Sequence, residues 1–181
     1  MMSKIKTTSH FLYLFFRFLC FFLPVITVYL VLFNLEVALN IGIWAGMISP
    51  DQIQNVSTFS FVHRLTLLVI ELLPLSVTIY ILHKLSNLFH LYEQGYLFEE
   101  ENIKLIKHIG IGMVAGQFIH VFYQPMMTTA FTFNNAAGDR FASLSIGTTN
   151  MSTLITGFII IVASWIVKEA QQLKSEVQLT I

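Results

Sequence analysis

Four apolar stretches, at about 11–33, 62–82, 109–133 and 151–167, constrain what this chain can fold into more than any other feature. A hydrocarbon core about 30 Å thick requires about 20 helical residues at about 1.5 Å rise each, and all four stretches approach or exceed that length. The expected fold is an all-α integral membrane protein with four transmembrane helices, forming a single domain over residues 1–181. Charge supports it: charged residues make up 11% of the chain, against about 25% in ordinary soluble domains. A soluble domain of this length needs a charged exterior, and these residues cannot supply one. Ten basic residues against ten acidic ones give no case for an acidic partner, and no direct nucleic-acid binding is expected. Cys20 is alone within an apolar run, so an intrachain disulfide is excluded.

Lys4 and Lys6 before the first apolar run imitate a secretory signal. The run is longer than the usual 7 to 15 residues and no small-residue cleavage motif follows it, so the segment reads as a retained signal anchor. Orientation follows from the basic residues. Lys4 and Lys6 lie in the N-terminal tail, Lys84, Lys104 and Lys107 between spans two and three, and Lys168 and Lys174 in the C-terminal tail. The other two connections hold only Arg140, with Arg64 at the edge of span two. Positive charge collects in the cytoplasm, so both termini and the central connection are expected inside.

The outer loop from Asn34 to Ser60 contains one helix start: Ser49 as N-cap, Pro50 at the first helical position and Gln52 completing a capping box. Ile41, Ile43, Trp44 and Met47 are apolar enough to lie on the membrane surface or cap the bundle. The second outer connection, Asn134 to Ser145, is short, polar and rich in turn formers. The central connection carries more pattern. Ile81, Leu85, Leu88 and Tyr92 continue the helical spacing of span two, and Gly95 is placed to end that helix. Glu99, Glu100 and Glu101 then form an acidic first turn for a new helix. This predicts a cytoplasmic helical hairpin between helices two and three. Its simplest role is to join the two spans. Its sharper role is to present a docking face to a cytoplasmic regulatory protein, with Gly95, Phe98, Asn102 and Lys104 as candidates.

The run Leu91-Tyr-Glu-Gln-Gly-Tyr-Leu-Phe98, followed by Asn102-Ile-Lys-Leu-Ile-Lys-His-Ile-Gly110, resembles the central motif of a bacterial four-span family, domain of unknown function 2975. The tail from Glu169 through Leu173 to Glu176, closing on Leu179-Thr180-Ile181, is similar to that family's C-terminal signature. After Phe98 the family often places a small hydroxyl residue, where this chain has Glu99. The resemblance implies a bacterial inner-membrane location and no known enzymatic activity. Some relatives are encoded beside small helix-turn-helix repressors, a hint of regulation.

Ionisable residues inside spans cost several kcal/mol unless paired, hydrated or neutralised. Glu71 lies near the middle of span two, three residues before Pro74, which frees a backbone carbonyl and can kink the helix. Carboxyl and kink could form a proton or cation relay. The plainer reading is a protonated, hydrogen-bonded Glu71 that fixes helix packing. Arg64 is seven residues away, about 10.5 Å along the axis, too far for a direct pair. His120 and Gln117 of span three are the expected partners of Glu71 or Arg64 across the bundle. Arg17 is expected to snorkel toward the cytoplasmic surface.

Metal and nucleotide sites are not expected. His83 and His90 are also about 10.5 Å apart, whereas zinc ligands sit about 2.0 to 2.1 Å from the ion. His90 with Glu93 and His108 is unspecific. Gly110, Gly112 and Gly116 lie inside an apolar span, not between a strand and a helix of a soluble α/β unit. Gly112 and Gly116 instead make a small-xxx-small face for close approach of another helix, within the bundle or across a homo-oligomer.

The reading that results is a non-enzymatic membrane protein with no cofactor, in contact with membrane lipids, acting as a regulatory or accessory component through its hairpin and C-terminal tail. The rival is a small proton- or ion-coupled transporter or channel organised around Glu71, Arg64 and His120. The first predicts that Glu71→Gln is tolerated while substitutions at Phe98 or Asn102 abolish biological activity, as scored by complementation of a deletion strain. The reverse pattern favours the rival.

Overall fold

The computed structural model describes residues 2–54, 56–97, 99–145 and 147–179, with side chains described over 4–54, 56–97, 99–145, 147 and 150–172. Phe98, Thr180 and Ile181 therefore lie outside the described residues, as do the tail side chains from Leu173 onward. Five α-helices follow one another: α1 (Met2–Phe33), α2 (Leu35–Asn40), α3 (Phe61–Gln94), α4 (Glu100–Thr132) and α5 (Thr148–Leu179). Single 3-10 turns at Pro50–Gln52 and Val56–Thr58 lie between α2 and α3, and no strand occurs among the described residues. Four of the helices are long and apolar enough to cross a membrane.

The helices outrun the apolar stretches in one direction each. α1 begins at Met2 instead of Phe11, α3 continues from Leu82 to Gln94, and α5 passes Val167. Hydropathy marks where lipid can be crossed, whereas Lys, Glu, Gln and Leu beyond those limits are good helix formers and nothing breaks the helix. Prolines 24, 74 and 125 lie within α1, α3 and α4. Large apolar side chains point outward along the long helices, among them Phe21 at 71% and Ile166 at 64% exposure. A surface of that kind is suited to lipid, not water.

The chain divides into two compact units, one of Met1–Phe21, Val77–Gln117 and Thr148–Ile181, the other of Phe22–Ser76 and Phe118–Gly147. In the first, α3 and α4 pack antiparallel. Gly112 lies against Ile81 and Tyr80, Gly116 against Val77, and Leu88 packs with Leu105 and Ile109. The small-xxx-small face is thus used inside the chain. The turn between these helices is set by Gly95 at φ +98°. Its N–H bonds the Tyr92 carbonyl at 3.1 Å and the Tyr96 N–H bonds the Leu91 carbonyl at 3.0 Å, the paired bonds of a Schellman termination. The Glu99 carbonyl then accepts from the Asn102 and Ile103 N–H groups to open α4. Near the start of α1, His10 Nδ1 lies 2.8 Å from Glu93 Oε1, and the His90 ring packs on Tyr13 at 4.7 Å.

α4 and α5 also approach closely in this unit. A Cβ on Gly110 would stand 2.8 Å from Ile161 Cγ1 and 2.9 Å from the Gly157 carbonyl oxygen, so neither backbone leaves room for a side chain. Gly157 is not among the packing residues that the sequence pointed to.

In the second unit, α2 and the 3-10 turns fold over the ends of α1, α3 and α4 and bury Leu35, Leu39, Trp44, Ile48, Ile53 and Phe59 against Leu67, Met127 and Phe131. The expected capping box is present, with Gln52 Oε1 accepting the Ser49 N–H at 2.9 Å, but the helix it opens is a single turn.

Gly110→Ala is expected to lower stability by about 1–3 kcal/mol through overpacking. Gly138→Ala, where nothing stands within 4 Å of the new Cβ, is expected to change little. Thermal unfolding of the detergent-solubilised chain separates the two.

Candidate functional site

Glu71 projects from α3 three residues before Pro74, in the second unit. Its Oε2 accepts two hydrogen bonds, from Tyr123 OH at 2.6 Å and from Trp44 Nε1 at 3.0 Å. Trp44 Nε1 also lies 3.0 Å from Tyr123 OH, so the three polar atoms form a closed triangle. Trp44 and Tyr123 are 2% and 4% exposed. Trp44 meets Phe131 edge to face at 5.0 Å, which fixes the direction of its N–H. The carboxyl is held as an acceptor by two rigid aromatic donors in an apolar shell of Leu67, Ile70 and Met127. Removing one donor leaves the carboxyl bonded to the other, whereas removing the carboxyl leaves the Tyr123 hydroxyl proton unanswered, at about 1–3 kcal/mol.

One residue beyond Tyr123, about 100° around the helix, an adjacent face of α4 carries a second polar array. Gln124, Thr128 and Thr132 recur every four residues and are at most 1% exposed. They bind the non-helical segment 141–145. The Thr132 hydroxyl accepts the Phe141 N–H at 3.3 Å, the Thr128 hydroxyl accepts the Ser143 N–H at 3.0 Å, and Gln124 Oε1 accepts the Ser145 N–H at 3.1 Å. Both hydroxyls also donate to the carbonyl four residues earlier in α4, Thr132 to Thr128 and Thr128 to Gln124. Two residues of the segment advance over four of the helix, about 6 Å at about 1.5 Å each, the rise of extended chain at about 3 Å per residue. The turn formers of this connection do make turns at 133–139, and beyond them 141–145 is a strand-like run laid along three rungs of α4. Asn135, 2% exposed, ties its turn to the earlier loop, donating to the Gln52 carbonyl at 2.8 Å and accepting the Gln54 N–H at 3.0 Å.

An open groove of about 910 Å³ lies between α3 and α4 in the same unit. Thr58, Ser60, His63 and Asn134 line its polar end, and Ile70, Met126 and Phe133 form apolar wall. His63 stacks on Phe59 at 4.0 Å and its Nε2 donates to the Ala130 carbonyl at 2.7 Å.

The residues expected to surround Glu71 are placed elsewhere. Arg64 Nη1 donates to the Leu32 carbonyl at 2.9 Å, one of the terminal carbonyls of α1 that have no helical donor. His120 packs beside a partner of the carboxyl, its ring 5.8 Å from that of Tyr123. Gln117 belongs to the first unit, where its amide oxygen is buried without a partner among the described residues. Trp44 and Tyr123 took the role assigned to these two because a flat aromatic donor reaches the carboxyl while filling apolar space. Arg17 turns back one helical turn to the Tyr13 hydroxyl and lies over its ring at 5.7 Å, pointing toward the N-terminus as a snorkelling side chain would.

The hairpin candidates also separate. Lys104 is exposed and pairs with Glu100 at 3.0 Å. Asn102, expected on a docking face, is instead 2% exposed, and its amide donates to the Tyr96 carbonyl at 2.5 Å. It closes the turn that Gly95 opens and offers nothing to a partner. Met127 is buried and Met126 is exposed. No group of three or more His, Cys, Asp or Glu able to hold a metal occurs among the described residues.

Four helices of membrane-crossing length and outward faces suited to lipid define a multi-pass helical membrane protein. The chain belongs to the family described as "Protein of unknown function (DUF2975)", whose model matches residues 3–181. No curated protein and no solved structure matches it.

Glu71→Gln keeps an oxygen acceptor for both donors and is expected to leave thermal stability in detergent nearly unchanged. Glu71→Leu leaves the Tyr123 hydroxyl proton without an acceptor, while the Trp44 N–H keeps the Tyr123 oxygen 3.0 Å away, and is expected to cost about 1–3 kcal/mol. Trp44→Phe and Tyr123→Phe should be coupled by about 0.5–3 kcal/mol in a double-mutant cycle, because both act on one oxygen.

Proposed function

We propose that this chain is a non-enzymatic regulatory or accessory protein of the bacterial inner membrane, with both termini and the α3–α4 turn in the cytoplasm. It acts through the helical hairpin at that turn and the C-terminal tail, by binding a soluble cytoplasmic protein. The observation that carries the reading is the contrast between the buried and the exposed polar groups. Glu71 is engaged by Trp44 and Tyr123 in a packed core, the arrangement of a structural carboxyl. The outward face at the start of α4, by contrast, presents Glu99, Glu101, Lys104, Lys107 and His108 together. The basic residues of the two tails and the central connection support the orientation, and the family match supports a chain of this class without assigning it a reaction.

The docking face is accordingly centred on Glu101, Lys104 and His108 instead of Asn102. The rival, a small proton- or ion-coupled transporter or channel, would require Glu71 to release its two donors during each cycle.

Capture of one defined soluble protein by the wild-type chain in mild detergent, lost at least about tenfold in Glu101→Lys/Lys104→Glu and retained in Glu71→Gln, is the expected outcome. Proton or ion flux in reconstituted vesicles, abolished by Glu71→Gln, would overturn it in favour of the rival.

A further inference from the structure

We propose that a cleft between the start of α4 and α5 in the first unit binds the headgroup of an anionic phospholipid. The cleft has a volume of about 240 Å³. Lys104 and Lys107, three residues apart on one face of α4, meet Trp165 and Lys168, three apart on one face of α5. Ile103, 5% exposed, lies beneath them. Glu100 also lines the cleft, paired with Lys104 at 3.0 Å and acted on at longer range by Lys168. Lys107 and Lys168 form no ion pair among the described residues. Three ammonium groups against one carboxylate, converging from two helices, leave a concave site with an excess of positive charge.

The surroundings select a lipid over a soluble anion. Trp165 is 56% exposed, and Val162 and Ile166 beside it on α5 are exposed apolar residues. Tryptophan with lysine one turn away is the pattern of a helix at the boundary between hydrocarbon and headgroups. A phosphate seated among Lys104, Lys107 and Lys168 would place its acyl chains along Val162 and Ile166, a surface that a free phosphate would leave uncovered. Lysine near an anionic membrane surface contributes about 1 kcal/mol, or about fivefold, each.

The test uses the full chain in vesicles containing phosphatidylglycerol or phosphatidylcholine with brominated acyl chains, reading tryptophan quenching. Trp44 is buried and supplies the background, measured in Trp165→Phe. Trp165 is expected to associate with phosphatidylglycerol at least about fivefold more tightly than with phosphatidylcholine. Lys107→Gln/Lys168→Gln is expected to bring the ratio near one with its unfolding temperature unchanged. Equal quenching by the two lipids in the wild-type chain overturns the proposal, leaving the ammonium groups to an acidic protein segment. A preference that survives in the double variant overturns the assignment to this cleft. Full loss of the preference on adding soluble glycerol phosphate overturns the lipid as occupant in favour of a free phosphate.

Discussion

Hydrogen bonds that the surroundings cannot supply decide the internal arrangement of this chain. Hydrocarbon answers no donor or acceptor, so polar atoms at membrane depth find partners within the protein. Glu71 finds them in Trp44 and Tyr123, and Arg64 answers a terminal carbonyl of α1. Thr66 and Thr156 return their hydroxyls to carbonyls four residues earlier in their own helices. The aromatic cluster of the second unit is built around the first of these, with the buried Trp44 N–H answered by both Glu71 and the Tyr123 hydroxyl.

What could be read from the residues was local, and what could not was distant. The long helices, the Gly95 termination and the Ser49 to Gln52 box all follow from neighbours within a few positions, and the structure has each of them. Gly112 and Gly116 were legible as a packing face because the spacing itself states the geometry. Trp44 was not legible as a partner of Glu71. It stands 27 residues away in a loop, and its apolar neighbours made a surface position equally consistent. Gly157 had no second glycine at helical spacing to reveal it; its counterpart is Gly110 on another helix. Asn102 looked like a surface residue by type, and only the freed Tyr96 carbonyl explains its burial.

The same accounting distinguishes structure from chemistry. Side chains that sequence alone marked as functional because they were costly in lipid are largely occupied in holding the fold. The groups left available are charges at the start of α4 and on α5, where Lys107 and Lys168 face a cleft with an exposed tryptophan. Among the described residues the buried polar side chains are largely paired, with Asn102 Oδ1, Gln117 Oε1 and Ser143 Oγ the exceptions.

The strand-like run along α4 turns an ordinary connecting loop into a measured length. Gln124, Thr128 and Thr132 engage alternate residues of 141–145. Inserting one residue would present carbonyls and side chains where N–H groups are required, while inserting two would shift the run by one rung and restore the match. Loops usually accept changes of length freely. This one behaves as a vernier against the helix beside it, so parity, more than composition, governs which alterations it accepts.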